Sequence, residues 1–178
     1  MIDIIEDEPL INHISKYDAI VVGTNCYQVM RNGFQFEIAR KYPYVKLENY
    51  NTKYGDIDKL GTILECKKEN MPTIILSFIS FGYNFKGDNK PYIDYNALEK
   101  TFKLLNLLYE GKHLATTMIG TTTYDGNADQ SKVLEILNKT VTNFDLSIFD
   151  YNQESYNKQQ KKEYRKKLKE KFLKLVKK

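Results

Sequence analysis

Two polar strings break the apolar pattern of this chain where chemistry could be done. The first is Gly23-Thr24-Asn25-Cys26-Tyr27-Gln28-Val29-Met30-Arg31-Asn32-Gly33, which leaves an apolar run and leads into a helical pattern. Backbone N–H groups at a helix start attract anions. The Asn25 amide supplies both a donor and an acceptor, which suits a diol. The same string also reads as no more than an Asn-Gly turn before a helix. The second string is Met118-Ile119-Gly120-Thr121-Thr122-Thr123-Tyr124-Asp125-Gly126-Asn127. Its three threonines are too polar for a buried strand, and they present hydroxyls and N–H groups where a helix begins, as a pyrophosphate requires. The competing reading is a strand end, an Asp-Gly turn and an N-cap. A third polar stretch runs from Gly82 to Pro91 and contains Asn84, Lys86, Gly87, Asp88, Asn89 and Lys90, long enough to carry function. Cys26 and Cys66 form no metal-ligand or redox pair by spacing, and both read as reduced, buried thiols.

The elements that must hold these loops follow from periodicity. Short β-branched runs alternate with longer helical patterns. Ile2–Ile5 reads as an edge strand, and Ala19–Gly23 as a strand buried on both faces. A helix is predicted over Met30–Arg40, stopped by Tyr42-Pro43. Strands follow at Gly61–Cys66 and Thr73–Phe78 with a polar turn between them, then a helix over Tyr95–Glu110 with Leu98, Phe102, Leu105 and Tyr109 on one stripe. Leu114–Ile119 is a strand, Ala128–Lys139 a helix and Leu146–Phe149 a last strand. The alternation predicts a three-layer α/β/α domain around a mixed, mostly parallel sheet. Ligands of such sheets sit at the strand C-termini, where both polar strings fall.

Length and charge bound the rest. The chain's 178 residues suffice for one domain. No stretch approaches the roughly 20 apolar residues of a membrane span, and the acidic start Met1–Glu8 is not a secretory signal. An intracellular, cytoplasmic protein is therefore expected. The net charge of +4 is unevenly spread: residues 155–178 carry +9, leaving −5 on the remainder. This divides the chain into a body, 1–152, and a basic helical tail, 153–178. A mildly acidic body must hold any anion by local geometry. The tail, with Tyr164, Leu168, Phe172, Leu175 and Val176 at helical spacing, either packs on the body or binds nucleic acid.

The string Ala19–Gly33, continued by Phe36-Glu37-Ile38-Ala39-Arg40-Lys41-Tyr42-Pro43, resembles the first half of a macro domain, in the branch that includes bacterial and phage DNA-ADP-ribose hydrolase antitoxins and terminal ADP-ribose glycohydrolase. Gly55-Asp56-Ile57-Asp58-Lys59-Leu60-Gly61, Lys90-Pro91-Tyr92-Ile93-Asp94-Tyr95, Ile119-Gly120 and Leu146–Tyr151 resemble later segments in the family's order, so the likeness covers about residues 2–152. The resemblance implies a protein that binds ADP-ribose or a related nucleotide, free or attached to a macromolecule, with no cofactor and no metal. It also implies site residues. Asp7 would bond the adenine amino group and Asn25 the distal ribose. Cys26, Met30, Arg31, Asn32, Gly33 and Phe34 would form the first loop. Gly120, Thr121, Thr122, Thr123, Tyr124 and Gly126 would form the diphosphate loop, with Tyr124 covering the distal ribose. The Lys/Asn/Tyr-rich composition fits an AT-rich bacterium or its phage, where such a protein could counter ADP-ribosylating defence.

Departures from the pattern matter too. Val22 stands where the family often has asparagine, and Arg31 where it usually has glycine. Threonine does not readily adopt positive φ, so Gly120-Thr121-Thr122-Thr123 cannot copy a glycine-rich backbone. Either the loop takes another shape with hydroxyl donors, or the ligand differs from plain ADP-ribose. Hydrolytic members use a lysine nucleophile before the central helix and an aspartate in the phosphate loop. Asp125 falls near that aspartate. Phe81 to Asn84 fall nearest the lysine's place, and Lys86 or Lys90 would serve only with the loop shifted. A lysine nucleophile needs a depressed pKa, and these lysines also read as solvated. His13 and His113 match no family position. Three functions follow: a nucleotide binder, a metal-independent ADP-ribosyl hydrolase or ADP-ribose-1″-phosphate phosphatase, or a non-catalytic nucleic-acid-associated module acting through the tail.

Overall fold

The computed structural model describes residues 1–82, 92–121 and 126–151. Among the described residues six strands are formed: β1 (Ile2–Glu6), β2 (Ala19–Asn25), β3 (Ile63–Cys66), β4 (Thr73–Ser80), β5 (His113–Thr117) and β6 (Asp145–Asp150). They make one sheet in the order β1-β6-β5-β2-β4-β3. Every pairing is parallel except that of the edge strand β3 with β4. The helices are α1 (Gly33–Lys41), α2 (Pro43–Tyr50), α3 (Tyr95–Leu108) and α4 (Gln130–Thr140). Among the described residues, no helix is long and apolar enough to cross a membrane.

The period of two along each strand divides the core into two layers. Val21, Ile75, Leu114, Leu146 and Ile148 pack with Leu98, Phe102 and Leu105 of α3 and Val133 and Leu137 of α4. Ile20, Val22, Ile74, Leu76, Ala115 and Phe149 face the other way, onto Ile38 of α1, Val45 of α2, and Leu10 and Ile14 of the segment after β1. This is the three-layer arrangement expected. It also explains why β2 and β4 read as unbroken apolar runs: both faces are covered.

Helix starts are legible where a side chain caps them. The Asp94 carboxylate accepts from the Ala97 N–H at 2.9 Å and Asp129 accepts from the Lys132 N–H at 3.2 Å, opening α3 and α4. Several strand and helix ends shift by one or two residues from expectation, and two differences bear on the site. The helix predicted from Met30 begins at Gly33, because Met30 is buried in the core and Asn32 is still extended at φ −134°, ψ 162°. Pro43, expected as a stop, instead opens α2. Proline has no N–H to lose at the first helical position, and its fixed φ suits it. Tyr42, at φ −126° and ψ 74°, makes the corner between the two helices.

Candidate functional site

Because β1, β6, β5, β2 and β4 run parallel, their C-terminal ends share one edge of the sheet. Asp7, the loop after Asn25, Phe81, Gly120 and Asp150 all lie at or just beyond those ends. The chain leaves β4 on one side of β2, crosses through α3 and returns as β5 on the other, so β2 lies at the topological switch point where α/β sheets take ligands.

The first loop is built around Asn25, a 3 % exposed side chain. Its Oδ1 accepts from the Tyr27 N–H at 3.0 Å and the Val29 N–H at 3.2 Å, while Nδ2 donates to the Val29 carbonyl at 2.8 Å. The amide that a diol would suit is therefore also the internal brace of the loop. Its acceptor capacity is used by two backbone N–H groups, and one of its two amide hydrogens is committed. From outside, Gln28, at φ +61°, donates through Nε2 to the Thr52 carbonyl at 2.5 Å. The Gly55 N–H donates to the Cys26 carbonyl at 2.9 Å, and the Cys26 N–H to the carbonyls of Ser80 and Phe81 at 3.0 and 3.2 Å. Met30 is turned into the core, so its side chain offers no surface. Arg31, Asn32 and Phe34 follow it, the first two exposed and Phe34 half-buried. Between them Gly33 has φ +55°, a conformation that favours glycine, and the sequence has glycine there.

Burial raises the Cys26 thiol above its ordinary range, against the lowering influence of nearby Lys59. That shift disfavours the thiolate, the nucleophilic form, at Cys26. Cys66 is likewise pushed up to about 12 by burial. Lys59, partly buried, is lowered by desolvation, opposed by Cys26 and Asp56. Its ammonium donates to Thr52 Oγ1 at 3.0 Å and lies 5.1 Å from the centre of the Phe78 ring.

Of the second loop, both ends are defined. Gly120 has φ +68°, and a Cβ there would come within 2.9 Å of Ile93 Cδ1. A Cβ on Gly126 would come within 2.7 Å of the Gly120 carbonyl oxygen. That carbonyl accepts from the Ala128 N–H at 2.9 Å, and the Gly126 carbonyl accepts from the Tyr92 N–H at 2.7 Å. The two glycines thus pinch the loop shut at its base. Thr121 Oγ1 donates to the Met118 carbonyl at 3.0 Å. Thr122, Thr123, Tyr124 and Asp125 lie outside the described residues, as do Lys86, Lys90 and all of the tail, 153–178.

Asp7 is exposed at φ +59°, and its N–H reaches the Asp150 carbonyl at 3.4 Å. Neither histidine lies in these loops. His13 stacks on Phe149 and meets Glu8 Oε2 at 2.8 Å, and His113 Nε2 is 2.8 Å from Ser147 Oγ. Among the described residues, no group of three or more His, Cys, Asp or Glu is arranged to hold a metal ion. Sequence pattern does not single out the rings of Tyr27, Tyr54 and Phe81 as a group, yet they meet at the mouth of the first loop. Tyr27 packs edge-on against Tyr54 and Phe81, each at 5.2 Å between centroids. Only Tyr27 lies in the polar string after β2, and no periodicity links the three.

No protein-family model matches the chain, and no curated protein sequence does. Solved structures do. The macrodomain of Mycobacterium tuberculosis DarG aligns with a TM-score of 0.60 at 15 % identity over 85 % of this chain and 99 % of that one. The macrodomain of Thermus aquaticus DarG gives 0.61 at 12 % identity over 84 % and 98 %. The Trypanosoma brucei macrodomain, solved in complex with ADP-ribose, gives 0.53 at 15 % identity over 87 % and 66 %. The class is therefore fixed by architecture: this chain has the macrodomain fold. The fold implied by the resemblance of its motifs is the fold observed.

Proposed function

We propose that the chain binds an ADP-ribosyl nucleotide along the C-terminal edge of its sheet. In this reading Asp7 receives the adenine, and the backbone of Arg31–Phe34 at the start of α1 meets the phosphates together with the loop between Gly120 and Gly126. The terminal ribose lies against the loop braced by Asn25. The observation that carries the proposal is the convergence of two loops, distant in sequence and both of anion-binding composition, on the strand ends flanking a topological switch point. Macrodomain neighbours solved with ADP-ribose support the same reading.

Calorimetry and thermal melting against ADP-ribose, ADP-ribose-1″-phosphate and AMP test it. A ligand that binds only the native state raises the melting temperature. ADP-ribose should do so, and Asp7→Ala should weaken the effect far more than it changes the melting temperature of the free protein, since the Asp7 side chain is exposed. A flat response to all three nucleotides, beside a related macrodomain that shifts, would remove the proposal. Turnover is a narrower proposal on the same site. Were ADP-ribosyl conjugates or ADP-ribose-1″-phosphate hydrolysed, Asp125→Ala should abolish turnover while sparing affinity, and Lys86→Ala and Lys90→Ala would identify the participating lysine.

A further inference from the structure

The turn that carries Asp7 is held in a backbone conformation its residue type does not favour. Asp7 has φ +59°, in the left-handed region that residues other than glycine keep only where their surroundings hold them there. The bond from its own N–H to the Asp150 carbonyl is long, at 3.4 Å. The next residue supplies a firmer tie. Glu8 Oε2 lies 2.8 Å from His13 Nε2, so the ring N–H donates to the carboxylate and closes the turn. The His13 ring in turn stacks on Phe149, with 5.7 Å between centroids and 22° between planes. Phe149 lies in β6 immediately before Asp150, the residue whose carbonyl receives the Asp7 N–H. The segment under His13 is itself fixed. Leu10 and Ile14 are buried, the His13 N–H donates to the Leu10 carbonyl at 2.9 Å, and the Lys41 ammonium of α1 donates to the Ile11 carbonyl at 2.7 Å. His13, its side chain 20 % exposed, is the seated partner, and Glu8, at 58 %, is the one it captures.

Charge makes that capture matter. Glu6, Asp7, Glu8 and Asp150 are all exposed at the adjoining ends of β1 and β6. Carboxylates accept hydrogen bonds and repel anions, so this end of the edge suits a hydrogen-bond donor and not a phosphate. Released from His13, the Glu8 carboxylate would swing free beside Asp7, and the left-handed turn would lose its side-chain tie. We infer that His13 is a positioning residue for the base end of the ligand. It acts through Glu8: it holds the Asp7 turn in shape and takes the neighbouring carboxylate out of play, so that the Asp7 carboxylate alone meets the base, in one orientation. A base with an amino group at that point donates to the carboxylate. A base with an oxo group there sets lone pair against lone pair and is disfavoured. His13 thereby sharpens the choice between the two. That the base lies at Asp7 rests on the ADP-ribosyl reading above. The hold of His13 on the turn does not.

Full-length protein is titrated calorimetrically with ADP-ribose and with inosine diphosphate ribose, in which oxygen replaces the 6-amino group of the base. Wild type should favour ADP-ribose. His13→Ala should cut that preference by about five- to tenfold, the equivalent of one ordinary hydrogen bond, by weakening ADP-ribose and leaving the other ligand nearly unchanged. His13→Gln, whose amide can still donate to Glu8, should restore most of the preference. Glu8→Ala, alone or combined with His13→Ala, should lose no more than His13→Ala, because all three break the same link. Equal weakening of both ligands in His13→Ala, as expected if the histidine only stabilised the fold, would overturn the inference. So would an unchanged preference in His13→Ala or equal wild-type affinity for the two ligands. The turn is also read without ligand, by hydrogen exchange at the Asp7 amide: exchange should quicken in His13→Ala and not in His13→Gln. Unchanged exchange in His13→Ala would refute the positioning role whatever the protein binds. A wild type that binds neither nucleotide, with exchange responding as stated, would sink the ADP-ribosyl reading and uphold the hold of His13 on the turn.

Discussion

Asn25 is where a ligand contact and a structural brace can be told apart by one substitution. Asn25→Ala deletes three hydrogen bonds, two from the N–H groups of Tyr27 and Val29 and one to the Val29 carbonyl. At about 1 kcal/mol net for each, the loss is about 3 kcal/mol, and more where the freed N–H groups stay buried. For a domain of this size each kcal/mol moves the melting temperature by about 2–4 °C, so the ligand-free variant should melt about 6–12 °C below wild type. The ADP-ribose response should vanish with it, because the loop no longer holds its shape. Asn25→Asp refines the case. It keeps both acceptor bonds but turns an oxygen toward the Val29 carbonyl. Ionised, that oxygen repels; protonated, it donates. Burial and the carbonyl raise the pKa of the introduced carboxyl, so the variant's stability relative to wild type should be highest below the ordinary aspartate range, about pH 3.9, and fall as pH rises through the raised value. Differential scanning fluorimetry with and without nucleotide, repeated across pH, reads all of this. If ligand-free Asn25→Ala melts within about 1 °C of wild type, less than the shift from a single lost bond, while the nucleotide response disappears, the bracing argument is wrong and Asn25 acts on ligand alone.

Four further outcomes are expected. Gly126→Ala drives a methyl to within 2.7 Å of the Gly120 carbonyl and should cost about 1–3 kcal/mol by overpacking in a urea titration, along with the nucleotide response. Gly82→Ala, with nothing within 4 Å of the added carbon, should be close to neutral in the same titration. Glu65 accepts from the Tyr109 hydroxyl and pairs with Lys67 at 3.0 Å, and these hold its carboxyl below the ordinary range. That contribution is present above about pH 4.3 and is lost as pH falls through the lowered value, so Tyr109→Phe should flatten the acid limb of stability against pH. Finally, removing residues 155–178 takes away +9. Retention on single-stranded DNA should fall and its salt dependence flatten, with ADP-ribose binding kept; a fall in melting temperature with DNA retention intact would instead mean that the tail packs on the body.

Much of the fold is legible in the sequence because it is locally encoded. The continuous apolar run of β2 and the stripe Leu98-Phe102-Leu105 of α3 declare burial on two faces or one. Asp94 and Asp129 cap their helices within three residues. Asn25 and the glycines at 33, 120 and 126 stand out as loop residues for the same reason: their backbone or side-chain needs are met largely by near neighbours in sequence. What the sequence could not yield is whatever depends on which distant segments meet. Met30 reads as the first residue of a helix until the core that receives it exists. Pro43 reads as a stop unless the corner at Tyr42 can be turned against the packed layer of Ile38 and Val45. The order β1-β6-β5-β2-β4-β3, which sets Asp7 at one end of the edge and Phe81 toward the other, is a property of long-range pairing. The meeting of Tyr27, Tyr54 and Phe81 depends on a bond between Gly55 and Cys26 that no local pattern announces. Periodicity and capping are interactions over a few residues and are written in the sequence; the meeting of these three rings is made by hydrogen bonds spanning tens of residues, so only the folded chain defines it.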